Sequence, residues 1–328
     1  MRRKNWKVNG LIAYVVFLLM MMIGTAPSFA QQFPNKPINL LVAVGTGGTA
    51  DTSARMLAKS VSDILGQPMI VTNNGGGGGT VGIALLAKEK PDGYHLVFCS
   101  SQPLTIIPHL RQLPYNPDDI IPVMQMGMQQ TGLAVRADAP WKTLKELVDY
   151  AKKNPKKVTY TITGTYMNTH LAMMYVARQE GVDWTAIPVS GDPNMPLLGG
   201  HVTAMSAGSS WATHVREGRY RLLAVHGENR MKSFPDVPTF RELGYNFVGG
   251  LTTYILAPKG TPSTVLQTLE SAFRKAMENT EFLQYQQKIE QELTALSSEV
   301  SRKYLEAEYK RYGELCEQFK VPKESESK

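Results

Sequence analysis

Short apolar runs alternate with helical stripes along this chain. Residues 40–44 are apolar and partly β-branched, the pattern of a buried strand. The turn Gly45-Thr46-Gly47-Gly48 follows, and from Asp51 a helical stripe begins. Ala54, Leu57, Ala58, Val61 and Leu65 recur at helical spacing, with Arg55, Lys59 and Ser62 on the other face. Gly66 ends that helix and Pro68 opens an extended stretch. The same alternation predicts strands over 69–72 and 94–98 and a helix over 81–88. Strand, helix, strand, helix, strand at this spacing predicts a parallel sheet with crossover helices. The glycines at 75–79 suit neither a helix nor a strand interior and predict a loop whose backbone passes close to a cleft.

Further along, a short helix is expected within 100–110, and extended runs over 120–126 and 132–135. Thr143 caps a helix over 143–153, with Glu146 placed for a capping box. A strand over 159–163 runs into the polar turn Gly164-Thr165-Tyr166-Met167-Asn168-Thr169-His170, and Leu171, Met174 and Tyr175 then mark a helix. The second half thus repeats the device of the first: strand, polar loop, helix. Alternation continues to residue 225. After an extended stretch at 251–257 the chain reads as nearly all helical, over 264–279, 280–290 and 298–319. The pattern is two α/β units, with 132–135 and 251–255 as crossing segments. Residues 31–135 plus 251–328 form one lobe and 136–250 the other. A ligand is expected in the cleft where strand ends and helix N-termini meet.

The first thirty residues stand apart. Arg2, Arg3, Lys4 and Lys7 precede an apolar run at 11–23, and Ser28-Phe29-Ala30 is a small-x-small cleavage site. This predicts a cleaved secretory signal peptide rather than an uncleaved anchor. Its loss removes four basic and no acidic residues, so the formal charge of +7 falls to +3. Such a balance argues against a nucleic-acid partner. The mature chain is expected in the periplasm, soluble and monomeric. Cys99 and Cys316 fit no metal motif and read as a buried strand residue and a helix residue, although an oxidising compartment permits a disulfide.

Candidate chemistry centres on the two loops. A glycine loop entering a helix N-terminus is an anion site, because free backbone N–H groups and the helix dipole converge there. Gly45-x-Gly47-x-x-Ala50 also matches a relaxed dinucleotide fingerprint, but the acidic residue such a site needs is replaced by Val71-Thr72-Asn73-Asn74. No Gly-Lys-Ser/Thr, HExxH or Gly-x-Ser-x-Gly is present, so no enzyme, cofactor or metal is expected. Asp51 either caps its own loop or meets a ligand amine or water. Ser100 and Ser101 follow a strand, facing the cleft mouth or capping a helix. His170 either touches an acidic ligand or holds its own loop.

Many ordered motifs then point one way. They include Phe33-Pro34-Asn35-Lys36-Pro37, the first glycine loop to Asp51 and Arg55, Pro91-Asp92-Gly93-Tyr94, Thr169-His170-Leu171-Ala172, Leu198-Gly199-Gly200-His201 and Pro235-Asp236-Val237-Pro238. The chain resembles the Bug/TctC-type periplasmic solute-binding receptors of tripartite tricarboxylate transporters. The resemblance implies an α/β, two-lobed type II periplasmic-binding fold with a ligand cleft between lobes. It implies capture of a small organic carboxylate for delivery to membrane permease subunits, with a sensor feeding a membrane signalling protein as the alternative. It places ligand contacts at Thr46, Gly47, Gly48 and Thr49, and at Gly164, Thr165, Asn168, Thr169 and His170. Three stretches depart from the family: Gly45-Thr46 replaces prolines, Val189-Ser190-Gly191 replaces Tyr-Lys-Gly, and the stretch from Ser206 and Ala207 to Trp211 is smaller and more polar. Ser206 and Ala207 are therefore candidates for the far wall, where Trp211 packs in the core or stacks on an aromatic acid.

Overall fold

In the computed structural model the alternating pattern resolves into two sheets. The structure describes residues 33–189 and 191–323; the leader predicted over 1–30 lies outside the described residues. The described residues from Lys36 onward form one compact unit. In chain order the strands are β1 Ile38–Val42, β2 Met69–Asn73, β3 His95–Ser100, β4 Ile120–Gln129, β5 Thr131–Arg136, β6 Thr159–Ile162, β7 Thr185–Pro188, β8 Ala204–Gly208, β9 Tyr220–Val225, β10 Leu251–Pro258 and β11 Gln291–Ser297. The helices are α1 Thr49–Leu65, α2 Thr80–Leu86, α3 Gln102–Thr105, α4 Ile107–Leu110, α5 Leu144–Lys153, α6 Asn168–Glu180, α7 Asn194–Leu198, α8 Ala212–Arg216, α9 Ser263–Ala276, α10 Thr280–Lys288 and α11 Ser298–Gln318.

The first sheet runs β11-β4-β10-β3-β1-β2. The predicted parallel core is there: β1 pairs in parallel with both β2 and β3. The rest of the sheet is antiparallel, because β10 enters between β3 and β4 and β11 closes the edge. Strand β11 escapes the helical reading of this region. Its pairing with β4 shifts between Leu293 and Leu296, and Ala295 takes a left-handed φ of 46°. That bulge breaks the two-residue alternation by which a strand is recognised. The second sheet runs β7-β6-β8-β5-β9, with β6 parallel to β7 and β8, and β5 antiparallel to β8 and β9.

Helix α1 forms as its stripe predicts. Ala54, Leu57, Ala58 and Val61 are buried, and Gly66 ends it with a left-handed φ of 67°. Thr143 caps α5 by accepting from Glu146 N–H, but Glu146 reaches back to the Lys142 N–H, one residue before the cap. The crossing from sheet to sheet takes a single residue, Gln130, so the run at 132–135 is a strand of the second sheet. The return runs from the end of β9 to Leu251, and the two crossings are bonded to each other. His226 N–H donates to Thr131 O at 2.9 Å, and Thr131 Oγ1 lies 2.8 Å from His226 Nδ1. Helix α11 starts on the first sheet, where Ser298 Oγ donates to Pro122 O. Its far end joins the core under α6, burying Tyr312 and Leu315 beside Leu171 and Val176. Cys99 and Cys316 are both buried and unpaired.

Candidate functional site

The turn between β1 and α1 needs glycine for two reasons. Gly47 sits at φ 86°, a region that penalises any Cβ. Across from it, a Cβ on Gly75 would lie 2.9 Å from Gly45 N, so the glycine run packs its backbone against this loop. Asp51 then ties the turn together. Its carboxylate accepts from Gly47 N–H at 2.9 Å, Arg55 Nε at 3.1 Å and Asn73 Nδ2 at 2.8 Å. These bonds, led by the Gly47 N–H and the Arg55 guanidinium, lower its pKa to about 2. With its side chain buried and its oxygens occupied, Asp51 acts as the loop's own cap. Thr52 N–H donates to Gly48 O, and the N–H groups before it have no carbonyl within the helix to accept them, at the exposed end of the loop.

The turn between β6 and α6 is held without charge. Tyr166 takes a left-handed φ of 59°, and its N–H donates to His170 Nδ1 at 2.9 Å. Burial holds the imidazole below its ordinary pKa, so it is neutral at pH 7 and serves as an acceptor. His170 thus braces its own loop. Asn168 is buried and used twice: Nδ2 donates to Gly250 O and Oδ1 accepts from Gln102 Nε2, both at 3.0 Å. Thr169 is buried with no partner for its hydroxyl among the described residues, while its carbonyl accepts from Ser206 Oγ at 2.9 Å.

Between these loops lies a cavity of about 270 Å³. Thr49, Ala50 and Ser53 of α1 line it, with Ser100 from the end of β3 and Thr163 from the second loop. Gln102, Gln129, Gln286 and Gln291 supply amides. Among the described residues no Asp, Glu, Lys, Arg or His lines it. A neighbouring hollow of about 660 Å³ shares Gln102 and Thr163 and takes in Gly164, Thr165, Arg111 and Lys323.

Thr49 and Ser100 are therefore brought to the cavity wall, while Gly164 and Thr165 line the neighbouring hollow. Thr46, Gly47 and Gly48 are exposed beside α1 but do not line the cavity. The structure turns other expected contacts inward. Ser101 is buried with its hydroxyl bonded to the Glu308 carboxylate, whose pKa is raised by burial. Ser206 and Ala207 are fully buried in β8, each occupied within its own half: Ser206 on Thr169 O, Ala207 O on Trp211 Nε1. Trp211 is a core residue, packed on Phe234 with ring centroids 5.5 Å apart. The glutamines escape sequence reasoning. Only Gln102 carries a local signal, following Ser100-Ser101 at a strand end.

Residues 53–321 match the family model of the tripartite tricarboxylate transporter family receptor, TctC. The chain belongs to that family. A curated relative in Cupriavidus necator, a UPF0065 protein in the gbd 5' region, is 36% identical over 281 residues, spanning 85% of this chain and 86% of the relative. A TctC solute-binding protein from Polaromonas shares 27% identity at a TM-score of 0.76, covering 87% of this chain and 99% of that one. MatC from Rhodopseudomonas palustris, solved with bound malate, shares 26% identity at a TM-score of 0.73, with 86% and 99% covered. This TctC-family receptor accordingly has the α/β periplasmic-binding-protein fold expected of it, and it is a solute-binding protein rather than an enzyme.

Proposed function

We propose that this TctC-family receptor captures a small organic carboxylate in the cavity between its two sheets and delivers it to the permease of a tripartite tricarboxylate-type transporter. The observation that carries this reading is the lining of the cavity. The first turn of a 17-residue helix meets a wall of hydroxyls and amides with no acidic side chain among the described residues. A carboxylate needs several directed donors and no competing anion, and a helix N-terminus supplies both. The malate in MatC supports the same ligand class. The division into two lobes is supported by the two passages between the sheets, at Gln130 and over 226–250. Thr46 to Thr49 contribute from one lobe, and Gly164, Thr165, Asn168, Thr169 and His170 from the other, the last three chiefly by shaping the loop. The chain acts as a periplasmic monomer after loss of its leader.

A thermal-shift screen of mono- and dicarboxylates tests the reading. A ligand that binds only the folded state at about 100 times its Kd stabilises by about 2.7 kcal/mol. At least one acid should raise Tm and be recovered unchanged. The reading fails if no acid shifts Tm, or if neutral analogues shift it equally.

A further inference from the structure

The cavity is uncharged, yet two of its amides are not free to turn. Asn168 Nδ2 donates to the Gly250 carbonyl, which can only accept. Asn168 therefore presents Oδ1 to Gln102, and Gln102 must answer with Nε2. Gln129 Nε2 is committed in the same way to the Ile289 carbonyl at 3.1 Å. Gln286, almost wholly buried, gives Nε2 to Ser53 Oγ at 2.9 Å. In Gln102 and Gln129 the nitrogen is engaged by the protein, and no donor among the described residues engages the carbonyl oxygen; the hydroxyl partner of Gln286 can donate or accept and leaves that amide free to turn. All three residues line the cavity. Two amides of the wall, those of Gln102 and Gln129, are thus of fixed orientation, with carbonyl oxygens that no described donor engages.

We infer that the cavity selects carboxylates carrying hydroxyl or amino groups away from the anchoring carboxylate, and discriminates against a second carboxylate there, with Gln102 and Gln129 setting the preference. This rests on the carboxylate reading above. A ligand with no donor leaves buried carbonyl oxygens unpaired. A second carboxylate turns like-signed oxygens toward them, with no cation on the cavity wall to compensate. A hydroxyl or ammonium satisfies them.

Four probes with the same four-carbon chain and an anchoring carboxylate separate these cases: butyrate, 4-hydroxybutyrate, 4-aminobutyrate and succinate. In calorimetry on the purified receptor, 4-hydroxybutyrate and 4-aminobutyrate should bind at least about tenfold tighter than butyrate and succinate. Gln102→Met and Gln129→Met remove the carbonyl at similar volume. In either variant the ratio of 4-hydroxybutyrate to butyrate affinity should shrink severalfold, with Tm reporting that the variant folds. If a variant does not fold, the wild-type series decides alone. Succinate or butyrate binding as tightly as the hydroxy acid overturns the inference and leaves the carboxylate reading standing. Failure of both donor-bearing acids to bind also overturns it. Equal binding of 1,4-butanediol and 4-hydroxybutyrate removes the carboxylate reading as well.

Discussion

The two strand–loop–helix turns are built on one plan and held by opposite means. In the first, an ionised Asp51 gathers the Gly47 N–H, Arg55 and Asn73. In the second, a neutral His170 accepts the Tyr166 N–H, and Asn168 bridges Gln102 and Gly250. The difference teaches what each loop is for. A carboxylate that caps its own turn stiffens the loop while leaving the next N–H groups of α1 exposed. A neutral brace adds no charge near the ligand, and the Asn168 bridge ties the second loop across to the first sheet. On the proposed reading, recognition is assembled from a donor loop braced by a carboxylate and a second loop braced without charge.

Four experiments break or sharpen that contrast. The largest effect is expected from filling the donor loop. Gly48 has ordinary extended dihedrals, and a Cβ added there would meet nothing within 4 Å, so Gly48→Phe should fold normally. Its ring should cost about 100-fold in ligand affinity, roughly 2.7 kcal/mol, by calorimetry at unchanged Tm. Next come the braces. Asp51→Ala leaves the Gly47 N–H without its acceptor and takes one partner each from Arg55 and Asn73, and it should lower unfolding free energy by about 1–3 kcal/mol in urea titrations. His170→Ala, which removes one hydrogen bond and a stacked ring, should cost about 1 kcal/mol.

Acidification should separate the loops by pH. The folded pKa of His170 lies below its usual 6.5, so the unfolded chain binds more protons and stability falls as pH drops below that value. His226, held near 3 by complete burial at the crossing, adds to the same trend between 6.5 and about 3. Asp51 is depressed from 3.8 to about 2, so its contribution is whole above pH 4 and is lost only as pH falls toward 2. Protection of the Tyr166 N–H, corrected for the intrinsic pH dependence of exchange, should therefore fall between pH 7 and 5, while that of the Gly47 N–H stays as before. Equal loosening of both loops over that range would remove the contrast. The smallest effect belongs to Thr169→Val. Its buried hydroxyl has no partner among the described residues, so stability should stay within about 0.5 kcal/mol. A fall in ligand affinity without a fall in Tm would show that the hydroxyl serves the bound state.

Local pattern revealed much of the frame. The stripe from Ala54 to Val61, the stop at Gly66 and the repeated polar turn at 164–170 are adjacent in the chain, so periodicity and turn chemistry expose them. The mixed first sheet was hidden, because β10 and β11 reach β4 from the far end of the chain and β11 carries a bulge. Ser101 and Ser206 show the converse. Each follows or ends a strand beside the cleft in sequence, yet packing turns both inward, onto Glu308 and Thr169.

The order of residues alone settles the two α/β units, the paired loops and membership of a receptor family, since each rests on neighbours in the chain or on motifs in sequence. What lines the cavity is settled by folding. Gln129 meets Ile289 across 160 positions, and Gln102 meets Asn168 across 66. No local rule relates such pairs. The orientation of each amide, and with it the character of the wall that meets the ligand, exists only when the two sheets have brought its partners together.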